Sequence, residues 1–142
     1  IATGEGMLAA MALGADGVQV GSRFVASEES SAHPAFKQRV LETGDGGTFL
    51  TLKKVVPVRL IRNAFFERIR EMEQDGAAAE DLSAVLGKGR ARLGMFEGDL
   101  EEGELEIGQA AALIGEVKPA AEIVAELVSG YGKALKRLRM ME

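Results

Sequence analysis

Apolar residues fall in short clusters along this chain, and the spacing within each cluster predicts its element. Between Gly4 and Leu13, the residues Met7, Leu8, Met11 and Ala12 share one face of a helix. Gly14 to Gly17 is turn material. Gly17-Val18-Gln19-Val20 is short, apolar and β-branched, which suits a strand buried on both faces. Ile1-Ala2-Thr3 reads as a strand end or the loop after it. Loop, helix, strand and loop in that order make one β/α repeat of a parallel sheet, lacking the strand that should precede it. Further on, Ala35 to Leu41 reads as a helix with Pro34 in its first turn. Thr48 to Val56 is one further extended stretch among several helices.

The predicted strand ends at Gly21-Ser22, with Arg23 and Phe24 immediately after. A small-residue corner after a buried strand offers bare backbone amides, and an anion is the usual occupant. Two parallel architectures place an anion there. In the dinucleotide-binding fold, Gly4, Gly6 and Ala9 would satisfy G-x-G-x-x-G/A and Ser22-Arg23 would hold a 2′-phosphate. That fold demands further βαβ units, and none follow. In a TIM (β/α)8 barrel, phosphate binds at the loops after strands 7 and 8, beside a short helix. The chain then reads as α/β: the C-terminal part of the barrel, comprising the loop after strand 7, helix 7 and strand 8, with a mainly helical C-terminal extension. Residues 1–43 form the barrel segment with the phosphate site, and residues 44–142 form the extension that packs on the barrel as a lid. This second reading covers the whole chain and is preferred.

Composition narrows the classes. The chain has 142 residues, 46% hydrophobic and 27% charged, which is globular rather than disordered. A net charge of −5 argues against a nucleic-acid partner. Cysteine is absent, which excludes disulfides and thiolate metal sites, and no metal site is expected. No apolar run approaches the ~18–20 residues that span a membrane, and no signal peptide opens the chain. A cytoplasmic protein is the expectation.

The segment Gly14-Ala15-x-Gly17-Val18-Gln19-Val20-Gly21-Ser22-Arg23-Phe24, followed by Ala26-x-Glu28-x-Ser30-x-Ala32-His33-Pro34-x-Phe36-Lys37, resembles the flavin-dependent nitronate monooxygenase family, formerly 2-nitropropane dioxygenases. Flavin-dependent enoyl-acyl-carrier-protein reductases share the fold and nearly the same signature. The resemblance continues through Pro57-Val58-Arg59-x-x-x-Asn63, Gly98-Asp99 and Glu106-x-Gly108-Gln109-x-x-x-Leu113-Ile114. It implies an FMN-binding TIM barrel of roughly twice this length. It also implies that Gln19, Val20, Gly21 and Ser22 bind the FMN phosphate. Ile1 matches the last residue of the family's Gly-Gly-Ile loop after strand 7, with the glycines just before it. The family's proton-handling histidine lies upstream, so no catalytic residue is assigned in this segment. Gly108 and Gln109 are expected on the substrate side.

The implied activity is oxidation of alkyl nitronates with oxygen to a carbonyl product and nitrite. The enoyl reductase is the alternative and would add NAD(P)H and an acyl-carrier partner. A non-catalytic helical interaction fragment is a third reading, from another class. Expected partners are a small-molecule substrate and the N-terminal part of the same barrel, with a homodimer left open. Residues 1–142 alone are expected to be inactive and a poor FMN binder.

Other candidates have plainer readings. His33, the only histidine, is expected to be structural, in a loop entering a helix. Arg23 would either neutralise a phosphate or pair with Glu28 or Glu29. Arg59 and Asn63, four apart at a predicted helix start, read as an internal hydrogen-bonded pair rather than a substrate clamp. The acidic run Phe96 to Glu104 reads as a solvated loop. Ala110 to Ile114 reads as an apolar helix, and Lys133, Lys136, Arg137 and Arg139 complement the dipole of the last helix.

Overall fold

The computed structural model describes residues 1–140. In chain order its elements are helices α1 (Gly4–Ala12), α2 (Ser22–Val25) and α3 (Pro34–Leu41), and strands β1 (Thr48–Thr51) and β2 (Val58–Ile61). Helices α4 (Ala64–Gln74), α5 (Ala79–Leu86) and α6 (Arg90–Met95) follow. The 3-10 helix Gln109–Leu113 and the long α7 (Ala120–Arg139) complete the chain.

Local chemistry explains the helix starts. The Thr3 hydroxyl accepts from the Gly6 amide and caps α1. His33 Nδ1 accepts from the Ala35 amide ahead of Pro34, so the only histidine is an N-cap. Asn63 caps α4 through the Phe66 amide. The carboxylate of Glu29 accepts from the Ala120 amide at 2.8 Å, placing negative charge at the positive end of α7.

Strands β1 and β2 form an antiparallel hairpin with Thr48 opposite Ile61 and Thr51 opposite Val58. The predicted single stretch Thr48–Val56 is thus corrected: it ends at Thr51, where buried Leu52 takes φ 56° and turns the chain. The missed partner is β2, in the segment read as a helix start. Arg59 therefore lies in a strand while Asn63 caps the next helix, and the expected Arg59–Asn63 pair does not form. Asn63 Nδ2 instead donates to the Leu100 and Gly103 carbonyls.

Alternation along β2 divides the interior in two. Leu60 joins Leu52, Phe65, Phe66, Ile69 and Leu82 under α4 and α5. Ile61 joins Ala26, Phe36, Val40, Leu105, Ile107 and Ala111 beneath α2 and α3. Arg59, two residues before Ile61, lies on the Ile61 side of the strand.

The predicted strand Val18–Val20 is not a strand in this structure. No ladder or isolated bridge among the described residues includes it. A strand exists through its neighbours' backbone groups, and none of these residues supplies them.

Helix α1 lies directly on α7. A Cβ at Gly4 would sit 2.1 Å from the Tyr131 nitrogen and 2.6 Å from the Leu127 oxygen, so the two backbones meet at a position only glycine permits. Gly4→Ala should therefore destabilise the complete protein by about 3 kcal/mol. Gly130→Ala, whose Cβ would lie 3.3 Å from the Gly4 Cα, should cost less. Denaturant unfolding checks the order of the two, and a Gly4→Ala variant as stable as wild type would contradict this packing.

Candidate functional site

Helix α2 begins at the Gly-Ser corner. The Ser22 and Arg23 amides open the helix and have no backbone acceptor among the described residues. The Ser22 hydroxyl oxygen accepts from the Gly108 amide at 3.1 Å, across 86 residues of sequence. A hydroxyl that accepts in this way keeps its own proton free to donate. A Cβ at Gly21 would meet nothing within 4 Å, so the space beside this residue is open.

What brings Gly108 to Ser22 is the segment before it. The Ile61 amide donates to the Leu105 carbonyl at 3.0 Å, and the Ile107 amide to the Arg59 carbonyl at 3.1 Å. Leu105 to Ile107 thus runs antiparallel beside β2 and delivers Gly108-Gln109 to the corner. The predicted helix Ala110–Ile114 is a 3-10 helix over Gln109–Leu113.

An open hollow of about 710 Å³ results, lined by Ile1, Gln19, Gly21, Ser22, Gly108, Gln109, Ala110 and Arg59. Six of these eight are residues expected from the sequence to bind the cofactor or border the substrate. Val20, between Gln19 and Gly21, is half-buried and does not line the hollow. Arg59 was misread, although the strand alternation of Val58-Arg59-Leu60-Ile61 could have placed it.

Arg23 is committed elsewhere. Its side chain is buried, with Nη1 donating to the Glu116 carbonyl at 3.1 Å, and it pairs with Glu126 rather than Glu28 or Glu29. Glu126 also accepts from Lys118, and this holds its carboxyl below the usual carboxylate range. The first glycine of the Gly4-x-Gly6-x-x-Ala9 spacing has a packing cause, since Gly4 is where α1 touches α7. A pyrophosphate turn is not needed to explain it.

The acidic run is less solvated than expected. The Asp99 carboxylate accepts from the Glu101 and Glu102 amides, and Arg90 Nη1 donates to the Glu102 carbonyl at 2.7 Å. Glu104 is buried at 6% exposure. Desolvation pushes its carboxyl up to about 7, with Glu106 adding repulsion and Arg90 opposing both. No group of side chains that could hold a metal ion occurs among the described residues. Nor is any of their helices long and apolar enough to cross a membrane.

The profile of the nitronate monooxygenase family matches residues 1–130. The chain belongs to the nitronate monooxygenase family. The nitronate monooxygenase of Paraburkholderia phytofirmans is 31% identical over 142 residues, covering 98% of this chain and 38% of that protein. FabK of Thermotoga maritima superposes with a TM-score of 0.92 at 38% identity, covering 100% of this chain and 45% of its own. The nitroalkane oxidase of Streptomyces ansochromogenes superposes with a TM-score of 0.72 at 30% identity, covering 97% of this chain and 39% of its own. The chain thus spans about two fifths of the length of these relatives.

Glu104 generates a pH prediction. Its raised folded-state pKa means the unfolded chain releases the proton first, near pH 4.5, and the folded protein releases it near 7. Stability contributed by the neutral acid is full below the lower value and is lost as pH rises through the upper one. Glu104→Gln should therefore stabilise the complete protein by about 2 kcal/mol at pH 8 and by almost nothing at pH 4. Urea midpoints at the two pH values measure this, and an equal effect at both would remove the titration argument.

Proposed function

We propose that this chain is the phosphate-holding part of an FMN-dependent oxidoreductase. The complete enzyme would oxidise alkyl nitronates with molecular oxygen to a carbonyl product and nitrite. The observation that carries this reading is the hollow in which Ile1, Gln19, Gly21, Ser22, Gly108 and Gln109 converge, in a chain of this family. Bound FMN would supply the redox chemistry, as cofactors do in such enzymes.

The residues present suit that group. The Ser22 and Arg23 amides at the opening of α2, and the free proton of the Ser22 hydroxyl, make a set of donors for one terminal phosphate. Gly21 lets the phosphate oxygens approach without a side chain in the way. Gln19 adds a polar contact, and Ile1 closes the hollow from the start of α1. Gly108 and Gln109 border the hollow from the opposite side, where a substrate would lie.

In this reading Val18–Val20 is strand 8 of a (β/α)8 barrel, and its ladder is completed by strands 7 and 1 of the same protein. Residues 1–43 are the barrel segment and residues 44–142 the extension. The proton-handling histidine belongs to the part of the barrel before Ile1, since His33 is spent on capping α3. A second reading, reduction of an enoyl thioester with NAD(P)H, is favoured by one observation: FabK superposes on the whole of this chain.

The complete protein should purify with FMN rather than FAD, because the corner offers a seat for one phosphate. Chromatography of the released flavin decides it, and FAD or no flavin would overturn the assignment. Gly21→Val should abolish most of the FMN affinity without loss of fold, since its side chain enters open space. Ser22→Ala should cost about 1 kcal/mol of binding. Flavin retained by Gly21→Val as tightly as by wild type would move the phosphate elsewhere.

Turnover separates the two readings. Oxygen consumption on an alkyl nitronate without nicotinamide is the expected result. NADH oxidation that depends on a crotonyl thioester, with no nitronate activity, would favour the second reading instead.

A further inference from the structure

We infer that Arg59 is the cation that recognises the phosphate of the bound flavin mononucleotide, an inference that rests on the proposed function. Arg59 lines the hollow with Gly21 and Ser22, and no other lining residue has a charged side chain. It also lines the two adjoining hollows, one with Val25 and Glu106 and one with Gly44, Asp45 and Gln109.

Its bonding sets it apart. Among the arginines before α7, Arg23, Arg39, Arg62, Arg68, Arg70, Arg90 and Arg92 each pair with a carboxylate. Arg59 pairs with none among the described residues, although Glu106 and Asp45 line the adjoining hollows. Its Nη1 donates to the Thr48 carbonyl at 2.7 Å and to the Thr48 hydroxyl at 3.2 Å. Its Nε and Nη2 have no protein acceptor among the described residues. A guanidinium carries five N–H donors in a fixed fork suited to phosphate oxygens.

The charge balance points the same way. Arg59 is a half-buried cation without a carboxylate; Lys37 is another, but its ammonium is met by the Ser27 and Glu28 carbonyls and lies outside the hollow. Burial without a counter-charge is costly, and an anionic ligand at the mouth of the hollow would relieve that cost. The neutral donors of the Gly-Ser corner can orient a dianionic phosphate but cannot neutralise it. Arg59, anchored through one nitrogen to the hairpin partner strand, would supply the charge from the extension, and so couple docking of the extension to cofactor retention.

The test compares FMN with riboflavin, which lacks the phosphate, on the deflavinated complete protein by fluorescence quenching. Arg59→Gln should weaken FMN about ten- to hundredfold and leave riboflavin within about twofold. Arg59→Lys should recover part of the loss, and the salt dependence of FMN affinity should flatten in Arg59→Gln. Equal weakening of both flavins, or an unchanged FMN-to-riboflavin ratio, would overturn the inference while leaving the proposed function standing. An unchanged ratio with a raised KM for the nitronate would assign Arg59 to the substrate and overturn it equally. If Arg59→Gln does not fold, the ratio measured for Arg59→Lys decides. Wild-type protein that binds neither flavin would overturn this inference together with the proposed function.

Discussion

The site depends on the pairing of Leu105–Ile107 with β2. Two backbone hydrogen bonds, Ile61 to Leu105 and Ile107 to Arg59, fix where Gly108 arrives, and Gly108 then donates to the Ser22 hydroxyl. Residues from the two ends of the sequence thereby share one hollow. The same strand separates the two apolar clusters, sending Leu60 to one and Ile61 to the other. A one-residue slip of β2 that put Arg59 where Leu60 sits would bury its guanidinium under α4 and move Leu60 into the Ile61 cluster. Register at this short strand is therefore held by both clusters at once, and the placement of Arg59 follows from it.

Much of the corner was legible because small residues and caps leave local marks. Gly21-Ser22 and the helices at Gly4 and Pro34 needed no distant contact to be recognised. The hairpin was not legible. Val58-Arg59-Leu60-Ile61 is too short for its alternation to stand out, and the Arg59–Asn63 spacing imitates a helix face. Non-local pairing decides such segments, and a single sequence does not carry it. Val18–Val20 shows the converse. Its composition suits a buried strand, but ladder partners make a strand, and none lies among the described residues.

Charge is distributed so that arginines do structural work nearly everywhere. Arg90 stacks over the Phe65 ring at 4.6 Å while donating to the Val85, Leu86 and Glu102 carbonyls, so it ties α5 to the acidic segment. Arg62 sits over Phe49 at 5.2 Å and pairs with Glu67 at 2.7 Å. Exposed pairs of this kind contribute little stability individually. Among the arginines before α7, Arg59 at the hollow is the one that no carboxylate of the described residues matches, and Glu104 is a buried carboxyl outside every ion pair among them. Glu104 relieves its burial by holding its proton to about pH 7. A guanidinium cannot respond that way, because its pKa lies beyond any working pH.

The glycines near the start of the chain show why a motif needs its physical cause before it is given a function. Gly4, Gly6 and Ala9 match a dinucleotide fingerprint by spacing alone. In the structure the cause at Gly4 is contact, with α7 lying so close that a methyl group would overlap the Tyr131 nitrogen. That contact seats the first helix against the last and holds Ile1, which lines the hollow, just ahead of the Thr3 cap. At Gly21 the situation is reversed: a Cβ there would meet none of the described residues within 4 Å, so their packing does not demand a glycine. A small residue required by packing reports on the fold. One that faces open space, beside amides and a guanidinium that no carboxylate of the described residues matches, is where the proposed phosphate site can be tested.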